Sequence, residues 1–260
     1  MLFVSTSDNS NTLYSKEFNQ HYHNIEEGAL YESTTKYVVP SFRILQNLKH
    51  NNSLHILDIC FGLGYNTFAT ILYMQKNNIH NPITIYSPEF DTELIKSLVN
   101  FKYPKEFDEI EEFDEIINSL SNKFYYKNNN IEIIIKNYDA RKYLKELIKD
   151  KVVIDIVYQD AFSSEANPLL WTKEYFEDIS RLSDKNMILC TYSIATPIRI
   201  GLYQSGFEIY HTKYLTKSGK YKHMTIASKK EISIHHNDKI DMLKKIDNTP
   251  NPYPLFDKLL

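Results

Sequence analysis

Five short apolar runs, at 54–59, 82–86, 131–136, 152–158 and 187–192, alternate along the chain with stretches whose apolar residues fall at helical spacing. That alternation narrows the possible folds more than any other feature. A strand that is apolar on successive residues is buried on both faces, and parallel neighbours need a crossover of a dozen or more residues, which a helix supplies. Helices are read at 65–75, 92–99, 140–148, 171–182 and 197–204. The last two strand-like runs, 206–211 and 221–228, follow one another with no room for a helix. They suit an antiparallel hairpin on the sheet edge. The expected architecture is therefore doubly wound α/β, with a mostly parallel sheet of seven strands ending in that hairpin.

The flanks read differently. The first thirty residues are polar and broken, with a short hairpin around Leu2 to Val4 and Thr12 to Ser15. Apolar residues from Ala29 to Leu48 fall at helical spacing, and Pro40 should kink or split that helix. The resulting division is an N-terminal hairpin and helical lid at 1–50, the doubly wound α/β domain at 51–230 and a C-terminal tail at 231–260, extended over 248–254.

Composition limits the function. Thirty Lys and Arg against 33 Asp and Glu leave a net charge of −3, which argues against binding nucleic acid by bulk positive charge and leaves room for a local basic face. Two cysteines, Cys60 and Cys190, form no C-x-x-C pair, which excludes a Cys-rich zinc site and points to a reducing compartment. No basic-plus-apolar leader and no apolar stretch of about 18 residues is present, so a soluble, cytoplasmic protein without a membrane partner is expected. Two segments stand apart by charge. Residues 105–115 carry seven acids and one lysine and read as a solvated helix, whereas 213–230 carry six lysines and no acid and read as a solvated edge or an RNA-facing patch.

The chemistry gathers where the strands end. Ile56-Leu-Asp-Ile-Cys-Phe-Gly-Leu-Gly-Tyr65 is an apolar strand ending in an acid, then glycines, then a helix, which lets a backbone approach a nucleotide-like ligand at Gly62 and Gly64. Cys60 stands where G-x-G-x-x-G has its first glycine and none follows in the helix, so a pyrophosphate cradle is disfavoured. Glu89 follows the second strand, where a carboxylate can accept both ribose hydroxyls. Asp139 follows the third, where it can accept from an adenine amino group or cap the next helix. Asp160 follows the fourth and should face the reacting centre. The first three of these features, after three successive strands, describe a site for S-adenosylmethionine (SAM) rather than NAD.

The stretch Asp160-Ala-Phe-Ser-Ser-Glu-Ala-Asn-Pro-Leu-Leu-Trp-Thr172 resembles the D-[AG]-F-[SA]-P-x-x-N-P-x-x-W-T motif of the MnmC family, SAM-dependent methyltransferases of the tRNA wobble uridine. Tyr22-His-Asn-Ile-Glu-Glu-Gly-Ala-Leu-Tyr-Glu-Ser33, Asp58-Ile-Cys-Phe-Gly-Leu-Gly-Tyr-Asn66 and Thr196-Pro-Ile-Arg-Ile-Gly-Leu-Tyr-Gln-Ser-Gly-Phe207 are similar to further family segments. The resemblance runs from about Tyr22 to Ser228, and departs from the pattern at Cys60 for glycine and Ser164 for proline.

It implies a Rossmann-like SAM-dependent methyltransferase fold, and methylation of the amine of 5-aminomethyl-uridine or its 2-thio form. By position, Glu32, Asp58, Gly62, Gly64, Asn66, Glu89, Asp139 and Ala140 would line the cofactor site, and Asp160 would be the catalytic carboxylate. Tyr31, Phe162 and Asn167 would meet the substrate base, and Lys217, Lys220 and Lys222, with Arg199, the tRNA phosphates. SAM would be the cofactor, with no metal, and tRNA the partner, with no obligate protein partner evident. Bifunctional relatives add a flavin (FAD) oxidoreductase domain for which 260 residues leave no room, so methyl transfer alone is expected. Two alternatives stay open: a methyltransferase of a small-molecule amine or another RNA base, and a non-catalytic RNA-binding module on the same fold.

Overall fold

The computed structural model describes residues 3–46, 53–232 and 239–259. Strands β1 (Phe3–Ser5), β2 (Asn11–Ser15) and β3 (Gln20–His21) form a small antiparallel sheet. It is followed by α1 (Ala29–Ser33), a π turn over Thr34–Val38, and α2 (Val39–Gln46). The main domain then runs β4 (Leu54–Ile59), α3 (Tyr65–Lys76), β5 (Ile83–Pro88), α4 (Thr92–Ser97), α5 (Phe113–Lys123), β6 (Tyr125–Lys127), β7 (Ile131–Lys136) and α6 (Ala140–Lys149). It continues with β8 (Ile154–Gln159), α7 (Lys173–Arg181), β9 (Ser183–Thr191), α8 (Thr196–Gln204), β10 (Glu208–Leu215) and β11 (Tyr221–Ser228), and α9 (Met242–Asp247) lies near the C-terminus.

The main sheet has the order β10-β11-β9-β8-β4-β5-β7-β6. Pairings from β9 through β7 are parallel, and β10 and β11 form the expected antiparallel edge hairpin. Consecutive strand residues serve opposite layers. Ile56, Ile156 and Ile188 pack with α3 and the N-terminal helices, while Leu57, Val157 and Leu189 pack with α6, α7 and α8. This two-sided burial is why these runs carry no polar alternation. The chain leaves β4 for β5 and β7 on one side and returns to β8 on the other, so β4 and β8 flank the point where the strand order reverses. Ligands in open α/β sheets bind outside the carboxyl ends of the strands at that point.

Three expectations need correction. Among the described residues the sheet has eight strands, because Tyr125–Lys127 adds an antiparallel edge against β7. Three residues with two tyrosines and a lysine carry no strand periodicity, and it is the turn through Asn128, whose side chain accepts from the backbone N–H of Asn130 and Ile131, that folds them back. The acidic stretch 105–115 is not one solvated helix. Phe107 and Ile110 are buried, Glu112 adopts a left-handed φ of 59°, and the α-helix starts only at Phe113. The helix expected from Ala29 is interrupted as Pro40 requires, but by the π turn just before it, while its terminal Leu48, like Leu2 of the hairpin, lies outside the described residues. Among the described residues no helix is long and apolar enough to cross a membrane.

Candidate active site

The turn after β4 reverses the chain with positive φ at Cys60 (65°), Gly62 (55°) and Gly64 (76°). The two glycines serve different ends. A Cβ on Gly64 would come 2.5 Å from the Phe68 ring and 2.8 Å from Phe61, so this glycine lets the turn close onto α3. Gly62 instead lines a cavity of about 450 Å³, a volume suited to a nucleoside-sized ligand. Its backbone N–H donates to Glu89 Oε2 at 2.8 Å, and Glu89 Oε1 accepts from Asp91 N–H at 2.8 Å. Each oxygen retains a second acceptor position for a ligand hydroxyl. Burial raises the pKa of Glu89, so a donor there would be well received.

Asp139 is a helix cap that also reaches the cavity. Its Oδ1 caps α6 by accepting from Lys142 N–H at 3.0 Å, and with Ala140 it lines the cavity. Asp58, 1% exposed, stands one layer behind the lining. It accepts from Thr67 Oγ1 at 2.8 Å and Asn66 Nδ2 at 3.3 Å, yet burial pushes its pKa up to about 7. The same Asn66 amide donates to Asp160 Oδ2 at 2.9 Å and so joins the two carboxylates. These groups fit a cofactor such as SAM, which presents ribose hydroxyls, an adenine and a positive charge.

Asp160, the residue after β8, also lines the cavity. Tyr37, fully buried in the π turn, donates its hydroxyl to Asp160 Oδ1 at 2.5 Å. Desolvation, with the nearby charge of Glu32, pushes the Asp160 pKa up to about 7 against the pull of these two donors. The following loop is shaped by Trp171, a core residue whose indole N–H donates to the Phe162 carbonyl at 2.7 Å. Phe162 and Asn167 line the cavity. Across its mouth the β2–β3 turn lays Phe18 against Phe162, ring centroids 4.6 Å apart, and Gln20 donates to Ser163 Oγ at 2.7 Å. Glu32 reaches the cavity from α1, held by Lys36 Nζ at 2.6 Å and by Asn24 N–H at 2.9 Å.

Other expected residues fall elsewhere. The Tyr31 hydroxyl donates to the Leu215 carbonyl outside the cavity. Arg199 is buried, with Nε donating to Thr225 Oγ1 at 2.9 Å, and cannot meet a phosphate as a surface group. Lys222 lies on the β11 edge, but its ammonium sits 2.7 Å from the buried Glu27 carboxylate. Lys217 and Lys220 are exposed near the hairpin tip, Lys217 donating to the Ser7 carbonyl at 3.1 Å. Reading the sequence missed Tyr37, Lys36, Phe18 and His23, all from the N-terminal segment. His23 lies against the cavity, and burial pushes its pKa down to about 4. The one available signal was Pro40, which marks the helix irregularity that holds Tyr37.

Residues 108–230 match a family model described as S-adenosyl-L-methionine-dependent methyltransferase. An uncharacterized protein of Methanocaldococcus jannaschii is 27% identical over 228 residues, covering 88% of this chain and 59% of its own length. The tRNA 5-methylaminomethyl-2-thiouridine biosynthesis bifunctional protein MnmC of Campylobacter jejuni is 27% identical over 215 residues, covering 80% of this chain and 34% of its own. This chain thus spans less than two thirds of either relative. The crystal structure of MNMC2 from Aquifex aeolicus superposes with a TM-score of 0.80 at 28% identity, covering 99% of this chain and 79% of that one. By fold and by these likenesses, the chain has an α/β Rossmann-like SAM-methyltransferase fold, related in structure and distantly in sequence to the MnmC family.

Proposed function

We propose that the protein transfers a methyl group from SAM to the primary amine of 5-aminomethyl-uridine, or its 2-thio form, at the tRNA wobble position, giving the 5-methylaminomethyl product. The observation that carries this reading is Asp160, a desolvated carboxylate held by two donors at the end of β8, in a cavity that also contains Glu32, Glu89 and Asp139. Such a cavity favours cations, and an alkyl ammonium is one. When bound, SAM supplies an electrophilic methyl carbon on a sulfonium.

The chain's own residues do the rest. Glu89 and Asp139 would hold ribose and adenine, Gly62 would admit the ligand against the backbone, and Asn66, backed by Asp58, with Glu32 from α1, would hold the amino-acid part. Phe162 and Asn167 receive the extruded base, which must leave its stack to reach the cavity. An alkyl ammonium has a pKa of roughly 10 and must lose a proton before it attacks, so a carboxylate within hydrogen-bond reach both orients and deprotonates it. The leaving group is a neutral thioether and needs no general acid.

The test is mass spectrometry of nucleosides from tRNA bearing the aminomethyl group, incubated with protein and SAM. Wild type should form the methylaminomethyl nucleoside. Asp160→Asn should bind SAM with wild-type affinity by calorimetry and turn over at least 100-fold more slowly, on the order of a lost general base. Undiminished turnover would remove Asp160 from the chemistry, and methylation of free amines without tRNA would favour a small-molecule acceptor.

A further inference from the structure

Tyr37 has no counterpart in the chemistry described so far, yet its placement is tightly determined. Pro40 has no N–H to give to the Lys36 carbonyl, and its ring crowds that carbonyl. The helix answers with a π turn over Thr34–Val38, and Ser41 Oγ donates to the Tyr37 and Val38 carbonyls at 2.7 and 2.9 Å. Single π turns inside helices often mark functional positions. The Tyr37 ring is fully buried, edge-on to Tyr158 at 5.9 Å on β8, the strand that Asp160 follows. Its hydroxyl meets Asp160 Oδ1 while Asn66 holds Oδ2. A carboxylate has about four acceptor positions, so two remain for a ligand.

The geometry points to Tyr37 as a positioning residue for proton removal by Asp160, one that fixes the carboxylate's orientation and favours its ionised, proton-accepting form. This rests on the amine-methyltransferase reading above. One proton of the substrate ammonium passes to Asp160. The freed nitrogen lone pair then forms the N–C bond as the S–C bond breaks with its electron pair left on sulfur, and Asp160 releases its proton to solvent before the next cycle. Tyr37 itself stays protonated, because burial and the charge of Asp160 raise its own pKa. Other groups also face Asp160: Glu32 and Lys36 from the N-terminal helices, Asp58 and Cys60 from the end of β4, and Tyr192 from the end of β9. Glu32 and Asp58 oppose ionisation, so the Tyr37 and Asn66 donors are what offset them.

The experiment is the pH dependence of kcat for wild type and Tyr37→Phe on aminomethyl-bearing tRNA, with SAM affinity measured alongside. Loss of a hydrogen bond to a charged group should move the acid limb up by about one pH unit and lower kcat about fivefold at pH 7, approaching tenfold at lower pH. KM and SAM affinity should stay within about twofold, since neither rests on proton transfer. An unmoved limb, even with a lower kcat, would make Tyr37 merely structural and overturn the inference. If wild type does not methylate this tRNA, the amine reading fails instead. The ¹³C carboxyl titration of Asp160, assigned with Asp160→Asn, then decides whether Tyr37→Phe raises its pKa. Should Tyr37→Phe not fold, 3-fluorotyrosine at position 37, a stronger donor, should shift the limb downward, and no shift would overturn the proposal.

Discussion

Asp160 and Asp58 are carboxylates that this fold makes costly to ionise. Both have pKa values pushed from 3.8 up to about 7, chiefly by burial. Their neutral forms are favoured in the folded state, so the stability they contribute is complete below the unfolded value near 3.8 and is lost as pH rises through 7. His23 acts in the opposite sense. Its pKa falls from 6.5 to about 4, so its contribution is lost as pH drops through that window. The ligand-free protein should therefore show a melting temperature for Asp160→Asn close to wild type at pH 4 and higher than wild type at pH 8. A difference independent of pH in scanning calorimetry would contradict this. At the same scale Cys60 takes a φ of 65° although it is not glycine, and the sequence had marked that position as a departure from the family pattern.

At the scale of elements, the antiparallel β1–β3 sheet and its β2–β3 turn complete the cavity. Contacts from Phe18 to Phe162 and from Gln20 to Ser163 bind the turn to the loop after β8. An aromatic pair contributes about 0.5–1.5 kcal/mol, so Phe18→Ala should speed SAM dissociation by up to about tenfold with little change in global stability. Stopped-flow fluorescence would measure it, and an unchanged rate would mean that the turn does not gate the ligand. Strand and helix elements of the main domain were legible because each follows a local period. The π turn, the edge strand β6 and the burial of Phe107 were not, because tertiary partners decide them. Tyr37 is one tyrosine of 20 until packing brings Asp160 within reach.

Across the whole molecule, charge is divided between the two edges of the sheet. The lysines of the β10–β11 hairpin occupy one edge, and the acids around α5 lie beside β6 at the other. If tRNA docks on the basic edge, reversing Lys213, Lys217 and Lys220 to Glu should weaken it and reduce the salt slope by about one for each phosphate no longer neutralised. Binding isotherms at several salt concentrations would test this, and an indifferent result would place the RNA surface elsewhere. Lys222 is left out because it is tied to the buried Glu27, and its reversal would set like charges together. The sequence alone determined the parallel core, the turn after β4 and the acids ending four strands, because strand periodicity and turn chemistry are local. Only the tertiary structure decided which side chains meet Asp160, where the lysines point and how many strands the sheet holds, because an interaction between residues as far apart as Tyr37 and Asp160 exists only once both layers have packed.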